Sequence, residues 1–181
     1  KWGSKNYMNP SVDKTWHLAK TEAEIKLTDF EFQLWRVFYG FIRWQEGCEK
    51  VANQTDLTGS ELSLLHIICM KGRPKTINEL TRLLNRDDTF NVNYSIQKLV
   101  KNGLIKKVSS DKNNKKTFSY TVTDEGAQNI DTYTALRQKI LIDLFKKKRE
   151  LNLEKLTDVL SELIAIYEEA DRTVLSYMRS K

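Results

Sequence analysis

Apolar residues recur along this chain at alternating steps of three and four positions, a spacing that predicts amphipathic helices. The first such stripe comprises Leu27, Phe30, Leu34, Val37, Phe41, Trp44 and Cys48. Thr28 and Glu31 have the spacing of a capping box, in which a hydroxyl and a carboxylate bond reciprocally to the first turn of a helix. The pattern therefore predicts a helix from Thr28 to about Ala52, preceded by an arm over residues 1–27.

Two shorter helices are predicted next, and each opens with the same capping signal. Thr58 and Glu61 precede a core face formed by Leu62, Leu65, Ile68 and Cys69, and Gly72 and Pro74 end that helix. Thr76 and Glu79 open the following helix. Its predicted buried face consists of Ile77, Leu80, Leu83 and Leu84.

A fourth helix, over residues 88–102, separates into two faces when it is projected at 100° per residue. Asp87 or Asp88 can cap it, and Gly103 stops it. The predicted core face consists of Val92, Ile96, Leu99 and Val100. The opposite face carries Phe90, Asn91, Tyr94, Ser95, Lys98 and Lys101, with Asn93 and Gln97 on its flanks. No acidic residue occurs from Thr89 to Gly103, whereas an ordinary solvated face usually carries Glu as well as Lys.

A β-hairpin is predicted after this helix. Two strand-like runs, LIKKVS and TFSYTV, flank a polar tip, SDKNNKK, in which Asn113 and Asn114 tolerate the positive φ of a turn. Helix, tight turn, helix and basic hairpin is the order of elements in a winged helix-turn-helix, which lays its second helix in the DNA major groove.

The remainder of the chain predicts two more helices. The first starts at Asp124, and Asn152 caps the second. The last helix carries the heptad series Leu153, Leu156, Leu160, Leu163, Tyr167, Ala170 and Val174, and a seam of this period calls for a helical partner. The simplest partner is a second copy of the chain. The residues predicted to form the dimer interface are Phe30, Leu34, Val37, Leu156, Leu160, Leu163, Tyr167 and Val174.

The predicted fold class is therefore mainly α with a small β-hairpin wing. A winged helix-turn-helix domain at 57–123 lies between a dimerisation helix at 28–56 and C-terminal dimerisation helices at 124–181. The charge distribution adds a candidate partner. The chain has a net charge of +6, yet residues 71–116 hold 12 basic and 4 acidic residues against 18 and 20 elsewhere. All of the positive excess lies in the winged helix, which favours double-stranded DNA.

The side chains facing away from the core suit base recognition. Asn and Gln can bond bidentately to adenine, Lys to guanine or phosphate, and Phe or Tyr can contact a thymine methyl group. The predicted recognition-helix contacts are Phe90, Asn91, Asn93, Tyr94, Gln97, Lys98 and Lys101. The predicted contacts from the wing and the helix ends are Thr76, Arg86, Lys112, Lys115 and Lys116.

The chain from about Thr28 onward resembles the MarR family of dimeric bacterial transcription regulators. Its wing tip, Asp111 to Lys116, leads through a strand to Thr123-Asp124-Glu125-Gly126, where that family has an Asp and basic tip followed by Leu-Thr-x-x-Gly. Lys101-Asn102-Gly103-Leu104-Ile105 is similar to the family's Lys-x-Gly-Leu-Ile/Val. The resemblance implies a homodimer whose first and last helices interlock, with recognition by the 88–102 helix. Lysines replace the arginines of the family's tip, which favours phosphate attraction over guanidinium recognition.

Other functions have little support in the sequence. Two histidines and two separated cysteines supply neither a metal cluster nor a disulfide framework, and no catalytic motif or cofactor-binding loop occurs. No apolar run reaches the roughly 20 residues of a membrane span. We therefore expect a cytoplasmic regulator, a repressor by preference, that is not an enzyme and uses no cofactor.

Several alternatives stay open. A winged module could bind another protein instead of DNA, because aromatic Phe90 and Tyr94 lie on its exposed face. An unidentified small effector could occupy a pocket lined by Trp35, Tyr39 and His66, although His66 on an apolar run is also typical of a packing residue. A redox switch would need Cys48 or Cys69, and both fall on apolar faces where a thiol is usually inert.

Overall fold

The computed structural model describes residues 18–109, 118–148 and 151–179. The chain divides into two compact units, one up to Thr134 and one from Ala135. In the first unit the elements are α1 (Glu22–Ala52), α2 (Gly59–Cys69), a 3-10 turn (Met70–Gly72), β1 (Lys75–Thr76), α3 (Ile77–Leu83), α4 (Thr89–Lys101), β2 (Ile105–Ser109) and β3 (Phe118–Val122). Then α5 (Asp124–Leu136), a π-helical segment (Arg137–Ile142), α6 (Asp143–Lys147) and α7 (Leu153–Arg179) complete the described chain. The predicted class, mainly helical with a small antiparallel sheet, is confirmed.

Helix α1 begins six residues earlier than the sequence pattern predicted. Thr21 is the N-cap: its hydroxyl accepts from the Glu24 N–H at 3.3 Å, and the Glu24 carboxylate accepts from the Thr21 N–H at 2.8 Å. The predicted cap at Thr28 is wrong, because the Thr28 hydroxyl lies inside the helix and donates to the Glu24 carbonyl at 2.8 Å. Residues 22–27 of the predicted arm therefore belong to α1, and residues 1–17 lie outside the described structure.

The winged helix core forms where α2, α3, α4 and the sheet pack together. Both predicted capping boxes are confirmed, at Thr58 with Glu61 and at Thr76 with Glu79. The fully buried apolar side chains of this core are Leu62, Leu64, Leu65, Ile68, Leu80, Val92, Ile96, Leu99 and Ile105. Leu83 was predicted to be buried and is 42% exposed, since α3 ends at that residue and turns its last side chain outward.

The two predicted wing strands pair antiparallel, with Lys107 opposite Tyr120. A third strand, β1, which the sequence pattern did not predict, pairs with β3 and places Lys75 on the other side of Tyr120. The strand order is therefore β1-β3-β2, and the hairpin is joined to the start of α3. This third strand ties the wing to the helical core through main-chain bonds.

Lys75 carries the least expected side chain of the core. It is 1% exposed, and its ammonium donates to the carbonyls of Ile68 (3.0 Å), Met70 and Arg73 (3.1 Å). Burial lowers the pKa of this ammonium. The last carbonyls of a helix have no partner within the helix, so Lys75 acts as a cap for the C-terminal end of α2.

The start of α5 contacts the residues that directly follow α4. The Thr123 hydroxyl donates to the Gly103 carbonyl at 2.6 Å and accepts from the Gly126 N–H at 3.0 Å. A Cβ atom on Gly126 would lie 2.0 Å from the Leu104 carbonyl oxygen. The Thr-x-x-Gly sequence therefore has a physical reason: the hydroxyl caps α5, and only glycine allows this close approach.

The helices after Asp124 follow the prediction, with one difference. Between α5 and α6, residues Arg137–Ile142 form a π-helical segment that periodicity did not predict. Asn152 caps the last helix, because its side-chain oxygen accepts from the Lys155 N–H at 2.9 Å. None of the helices in the described ranges combines the length and the apolarity needed to cross a bilayer.

Candidate nucleic-acid interface

Helix α4 is held in place by its apolar face, as predicted. Val92, Ile96 and Leu99 are fully buried, and Val100 is partly buried against the same core. Ser95 was predicted to face outward and is instead buried, with its hydroxyl 3.5 Å from that of Ser60 on α2. A small hydroxyl fits this position because α2 passes close to α4 there. The outward face is therefore narrower than the projection suggested.

The remaining outward residues of α4 are exposed. The Phe90 side chain is 83% exposed and that of Tyr94 is 67% exposed. Asn91, Gln97 and Lys101 are exposed as well. Asn93 is half-buried, and its side-chain amide donates to the Thr89 carbonyl at 2.9 Å. The structure thus presents five of the seven predicted recognition residues openly on one helix.

Lys98 is the exception among the predicted contacts. Its ammonium donates to the Glu61 carboxylate at 2.9 Å and lies 3.4 Å from the Asp56 carbonyl oxygen. Burial by itself raises the pKa of Glu61, but the hydrogen bonds from Lys98 and Thr58 outweigh it, and the net pKa lies below its usual value. The ion pair between Lys98 and Glu61 therefore joins α4 to α2. The predicted contact of Lys98 with DNA stays a prediction.

The turn before α4 contains a bonded cluster of polar side chains. The Arg86 guanidinium donates to both oxygens of Asp88, at 2.7 Å from Nε and 2.6 Å from Nη2, and to the Ser60 hydroxyl at 2.7 Å. Asp88 also accepts from the Asn91 amide at 3.1 Å. These bonds, with that of Arg86 the largest cause, lower the pKa of Asp88 to about 2.

Of the two predicted candidates, Asp87 and Asp88, it is Asp88 that occupies the N-cap position of α4. Its carboxylate, however, makes no capping bond to the backbone of the helix. The bonds to Arg86 and Asn91 take its place. Arg86 was predicted to contact DNA, and in the structure three of its five N–H groups are already engaged.

The predicted wing contacts at Lys112, Lys115 and Lys116 lie outside the described residues. At the end of the described hairpin, the Lys107 ammonium lies 3.4 Å from the centre of the Phe118 ring, a cation–π contact. Thr76, the predicted contact at the start of α3, is half-buried and exchanges capping bonds with Glu79.

The residues proposed for an effector pocket are not among those that line one cavity of the described part of the chain. Trp35 and Tyr39 are exposed on α1, and the His66 ring packs against Tyr133 with 4.6 Å between centres. A cavity of about 280 Å³ lies elsewhere in the first unit. Its lining residues are Ala52, Asn53, Thr55, Asn102, Leu104, Glu125, Gln128, Asn129 and Thr132.

A buried carboxylate that the sequence analysis missed lies beside this cavity. Glu49 has no exposed surface and accepts from the Thr55 hydroxyl (2.5 Å), the Asn129 amide (2.6 Å) and the Asn53 amide (3.0 Å). A buried carboxylate is tolerated when several donors satisfy its lone pairs. Glu49 thereby links the end of α1 to α5.

The predicted dimer residues lie on helices that expose much apolar surface. On α1, Val37 is 67% exposed, and Phe30 and Leu34 are half-buried. On α7, Leu163 is half-buried, whereas Leu156, Leu160, Tyr167 and Val174 are exposed. An apolar stripe left open to water on a long helix is typical of a surface that another helix covers.

The cysteines and acidic groups offer little chemistry in the described part of the chain. Burial raises the pKa of the Cys48 thiol, and the neighbouring Glu49 carboxylate acts in the same direction. A raised pKa keeps a thiol protonated and unreactive. Among residues 18–109, 118–148 and 151–179, no three His, Cys, Asp or Glu side chains are grouped as ligands for a metal ion.

Comparison with known proteins supports the same fold. Residues 57–126 match the family model of a winged helix DNA-binding domain. A MarR family regulator from Neisseria meningitidis is 16% identical, with a TM-score of 0.60 over 82% of this chain and 96% of that one. The transcriptional regulator BldR from Sulfolobus solfataricus is 15% identical, with a TM-score of 0.59 over 81% and 99%.

The structure of reduced AbfR bound to DNA is 21% identical, with a TM-score of 0.60 over 80% of this chain and 98% of that one. No curated protein matches the chain significantly in sequence. Sequence identities of 15%, 16% and 21% establish a shared fold and no more. The family model, in contrast, matches the winged helix segment itself. Residues 57–126 are therefore a winged helix DNA-binding domain, within a chain that has the fold of the MarR family regulators.

Proposed function

We propose that this protein is a sequence-specific transcription regulator that binds double-stranded DNA as a homodimer. The observation that carries the proposal is the outward face of α4, where Phe90, Asn91, Tyr94, Gln97 and Lys101 are exposed and no acidic residue intervenes. A helix in a major groove meets a dense array of phosphates, so a face without carboxylates avoids charge repulsion. Such a regulator acts where the DNA is, in the cytoplasm.

The chemistry of this face matches base edges rather than phosphate alone. The amides of Asn91 and Gln97 can each pair with adenine, and the rings of Phe90 and Tyr94 can contact thymine methyl groups. Lys101, at the end of the helix, can reach guanine or a phosphate. An A·T-rich half-site is therefore expected to bind better than a G·C-rich one.

The homodimer is supported by the exposed apolar stripes of α1 and α7. A monomer would leave Val37, Leu156, Leu160 and Val174 in water, and a two-fold partner removes that cost. Two copies of α4 would then contact half-sites about one helical turn apart, so the operator should be a pseudo-palindrome. Sedimentation equilibrium tests the dimer directly, and a monomer at micromolar concentration would refute it.

We also propose that the regulator acts as a repressor whose DNA binding responds to a small effector. The effector response is supported by the cavity beside Glu49, whose lining includes Asn102 at the C-terminal end of α4 and residues of α5. A ligand in this cavity would favour one position of α4 over another. Repeating DNA-binding measurements and a reporter-gene assay with candidate effectors tests both statements.

Selection of bound sequences from a random duplex pool is the primary test of DNA recognition. Enrichment of one palindromic motif is the expected result, and Gln97→Ala or Asn91→Ala should lose preference among sequences. Equal losses on random DNA would instead argue against base contact by these amides.

The wing contributes through charge. The double variant Lys115→Ala/Lys116→Ala should weaken binding to all duplexes and reduce the slope of log K against log salt by roughly one to two units. The variant Lys26→Ala/Lys50→Ala, two lysines of α1, is the matched control with the same change in charge. Unchanged affinity of the wing variant at low salt would contradict the wing assignment.

The second candidate function is protein binding through the same face. Phe90 and Tyr94 favour it, because two exposed rings on one helix also suit a protein groove. Measuring DNA affinity as a function of salt concentration distinguishes the two functions. If the protein shows no salt-dependent binding to DNA, the protein-binding function is supported.

A further inference from the structure

The polar cluster at the turn before α4 consists of Ser60, Arg86, Asp88 and Asn91. One of these residues, Asn91, belongs to the outward face of α4. Asp88 Oδ2 accepts from Asn91 Nδ2 at 3.1 Å and from Arg86 Nη2 at 2.6 Å. Asn91 lies at the third position of α4 and is exposed. A residue outside the predicted reading face, Asp88, therefore holds one of the residues within it.

The bond fixes which end of the Asn91 amide points at Asp88. An ionised carboxylate only accepts hydrogen bonds, so the group facing it has to be the NH₂ group. The amide oxygen of Asn91 is then directed away from Asp88 and is left to accept. One hydrogen of the NH₂ group is used by Asp88, and the second is available to donate.

An acceptor oxygen beside one remaining amide hydrogen is the pair that adenine requires in the major groove. The adenine N6 amino group donates and N7 accepts, and an asparagine side chain satisfies both at once. Without the carboxylate, the amide could turn by 180° or rotate away, and ordering it on the base would cost conformational entropy.

The carboxylate is itself held from the other side. Arg86 binds both of its oxygens and donates to the Ser60 hydroxyl on α2 at 2.7 Å. The chain of bonds from Ser60 through Arg86 and Asp88 to Asn91 therefore starts on the helical core. Asp88 cannot follow Asn91 if the amide moves, so it defines a fixed position for that side chain.

We propose that Asp88 is a positioning residue that presets the Asn91 side chain to read an adenine in each half-site. This inference rests on the proposed function and goes one step further, since it assigns the base read by one residue and the group that prepares it. Asp88 itself would touch no base.

The test compares base preferences of full-length variants. Wild type, Asn91→Ala, Asp88→Ala, Asp88→Asn and the double variant Asp88→Ala/Asn91→Ala are each used to select from the same random duplex pool. Asp87→Ala, which removes the neighbouring carboxylate, is the matched control. Arg86→Gln separates the two partners of Asp88, because it removes the guanidinium and leaves the Asp88–Asn91 bond.

We expect wild type to select adenine at one position per half-site, and Asn91→Ala to lose that preference alone. Asp88→Ala should lower the adenine preference at that same position about tenfold, within the 5- to 150-fold range of a bidentate base contact. Asp88→Asn should lower it less, because its amide oxygen can still accept from the Asn91 NH₂ group. The double variant should match Asn91→Ala, since Asp88 acts only through Asn91. Replacing the selected adenine by 7-deazaadenine, which lacks the N7 acceptor, should weaken wild type and leave Asn91→Ala unaffected.

Contrary outcomes are distinct. An unchanged adenine preference in the Asp88 variants would overturn this inference alone, and so would an equal loss of binding on every duplex, which indicates a purely structural role. A wild-type protein that enriches no sequence would overturn the proposed function and the inference together, before any variant is compared.

Discussion

Replacing Lys75 by methionine is expected to destabilise the winged helix domain, because methionine fills similar volume and cannot donate to the end of α2. The Ile68 carbonyl is buried and would lose its partner out of reach of water, at a cost of about 1–3 kcal/mol. The carbonyls of Met70 and Arg73 are partly exposed, so water can replace the ammonium and the loss at each is smaller. The substitution also removes the unfavourable burial of the Lys75 ammonium, which offsets a part of the lost hydrogen-bond energy. We expect a net loss of about 2–4 kcal/mol.

Urea unfolding followed by circular dichroism measures this loss. At a typical slope of about 2 kcal/mol per molar, the unfolding midpoint should fall by roughly 1–2 M. Protein concentration has to be held constant, because association of two copies adds to the apparent stability. The control is Lys106→Met, an exposed lysine on β2, whose effect should stay within about 0.5 kcal/mol. A Lys75→Met midpoint equal to that of the control would show that the three bonds contribute nothing net.

Three further perturbations have expected outcomes of their own. Gly126→Ala places a Cβ atom 2.0 Å from the Leu104 carbonyl oxygen and should lower the free energy of unfolding by about 1–3 kcal/mol. A Cβ atom on Gly47 would have no other atom within 4 Å, so Gly47→Ala should instead stabilise α1 by about 0.5–1 kcal/mol. The melting temperatures of the two variants should therefore shift in opposite directions. Glu49→Gln replaces one of the two acceptor oxygens by an NH₂ group, which then faces either the Asn53 amide or the Thr55 hydroxyl and the Asn129 amide. This should cost about 1–3 kcal/mol, with faster hydrogen exchange at the end of α1, and unchanged exchange would contradict the network. Because the folded-state pKa of Asp88 is lowered from 3.8 to about 2, its ionised form stabilises the fold above pH 4 and that contribution is lost as the pH falls between these values. Carboxyl-carbon NMR should give a midpoint near 2 in the wild type and a higher one in Arg86→Gln, and equal midpoints would refute the pairing.

Much of the fold could be predicted because its signals are local. A hydroxyl and a carboxylate three residues apart cap a helix whatever surrounds them, and the boxes at Thr58 and Thr76 are where the spacing places them. The two faces of α4 follow from the 3.6-residue period in the same way. Ser95 departs from the projection, since a small polar side chain can face either water or a close helix. Lys98 departs in part, because its ammonium bonds to Glu61 on α2.

The start of α1 shows where a local signal is ambiguous. Thr21 with Glu24 has the same spacing as Thr28 with Glu31, seven residues further along, and the prediction considered only the second pair. Nothing in the sequence EAEIKL at 22–27 breaks a helix, so α1 continues back to the earlier box. The lack of a helix-breaking residue between Thr21 and Thr28 was therefore the sequence feature that indicated the longer helix.

The polar residues of the site could not be placed by sequence alone, because their partners are distant along the chain. Glu49 binds Asn129, 80 positions away, and Lys98 binds Glu61, 37 positions away. From the sequence alone, a lysine in a basic segment is expected to face solvent. In the folded chain, Lys98 instead lies beside the buried carboxylate of Glu61. The same limit applies to Lys75, whose acceptors are main-chain carbonyls that carry no sequence signal.

The division of residues along α4 has a consequence for how such a protein can change over generations. The side chains that anchor the helix are Val92, Ile96 and Leu99 in the core and Lys98 on Glu61. Phe90, Tyr94 and Gln97 are exposed, and substitutions at such surface positions usually alter stability by less than about 0.5 kcal/mol. Mutation can therefore alter the proposed recognition face while the scaffold stays intact, which would let duplicated copies of one gene acquire separate targets.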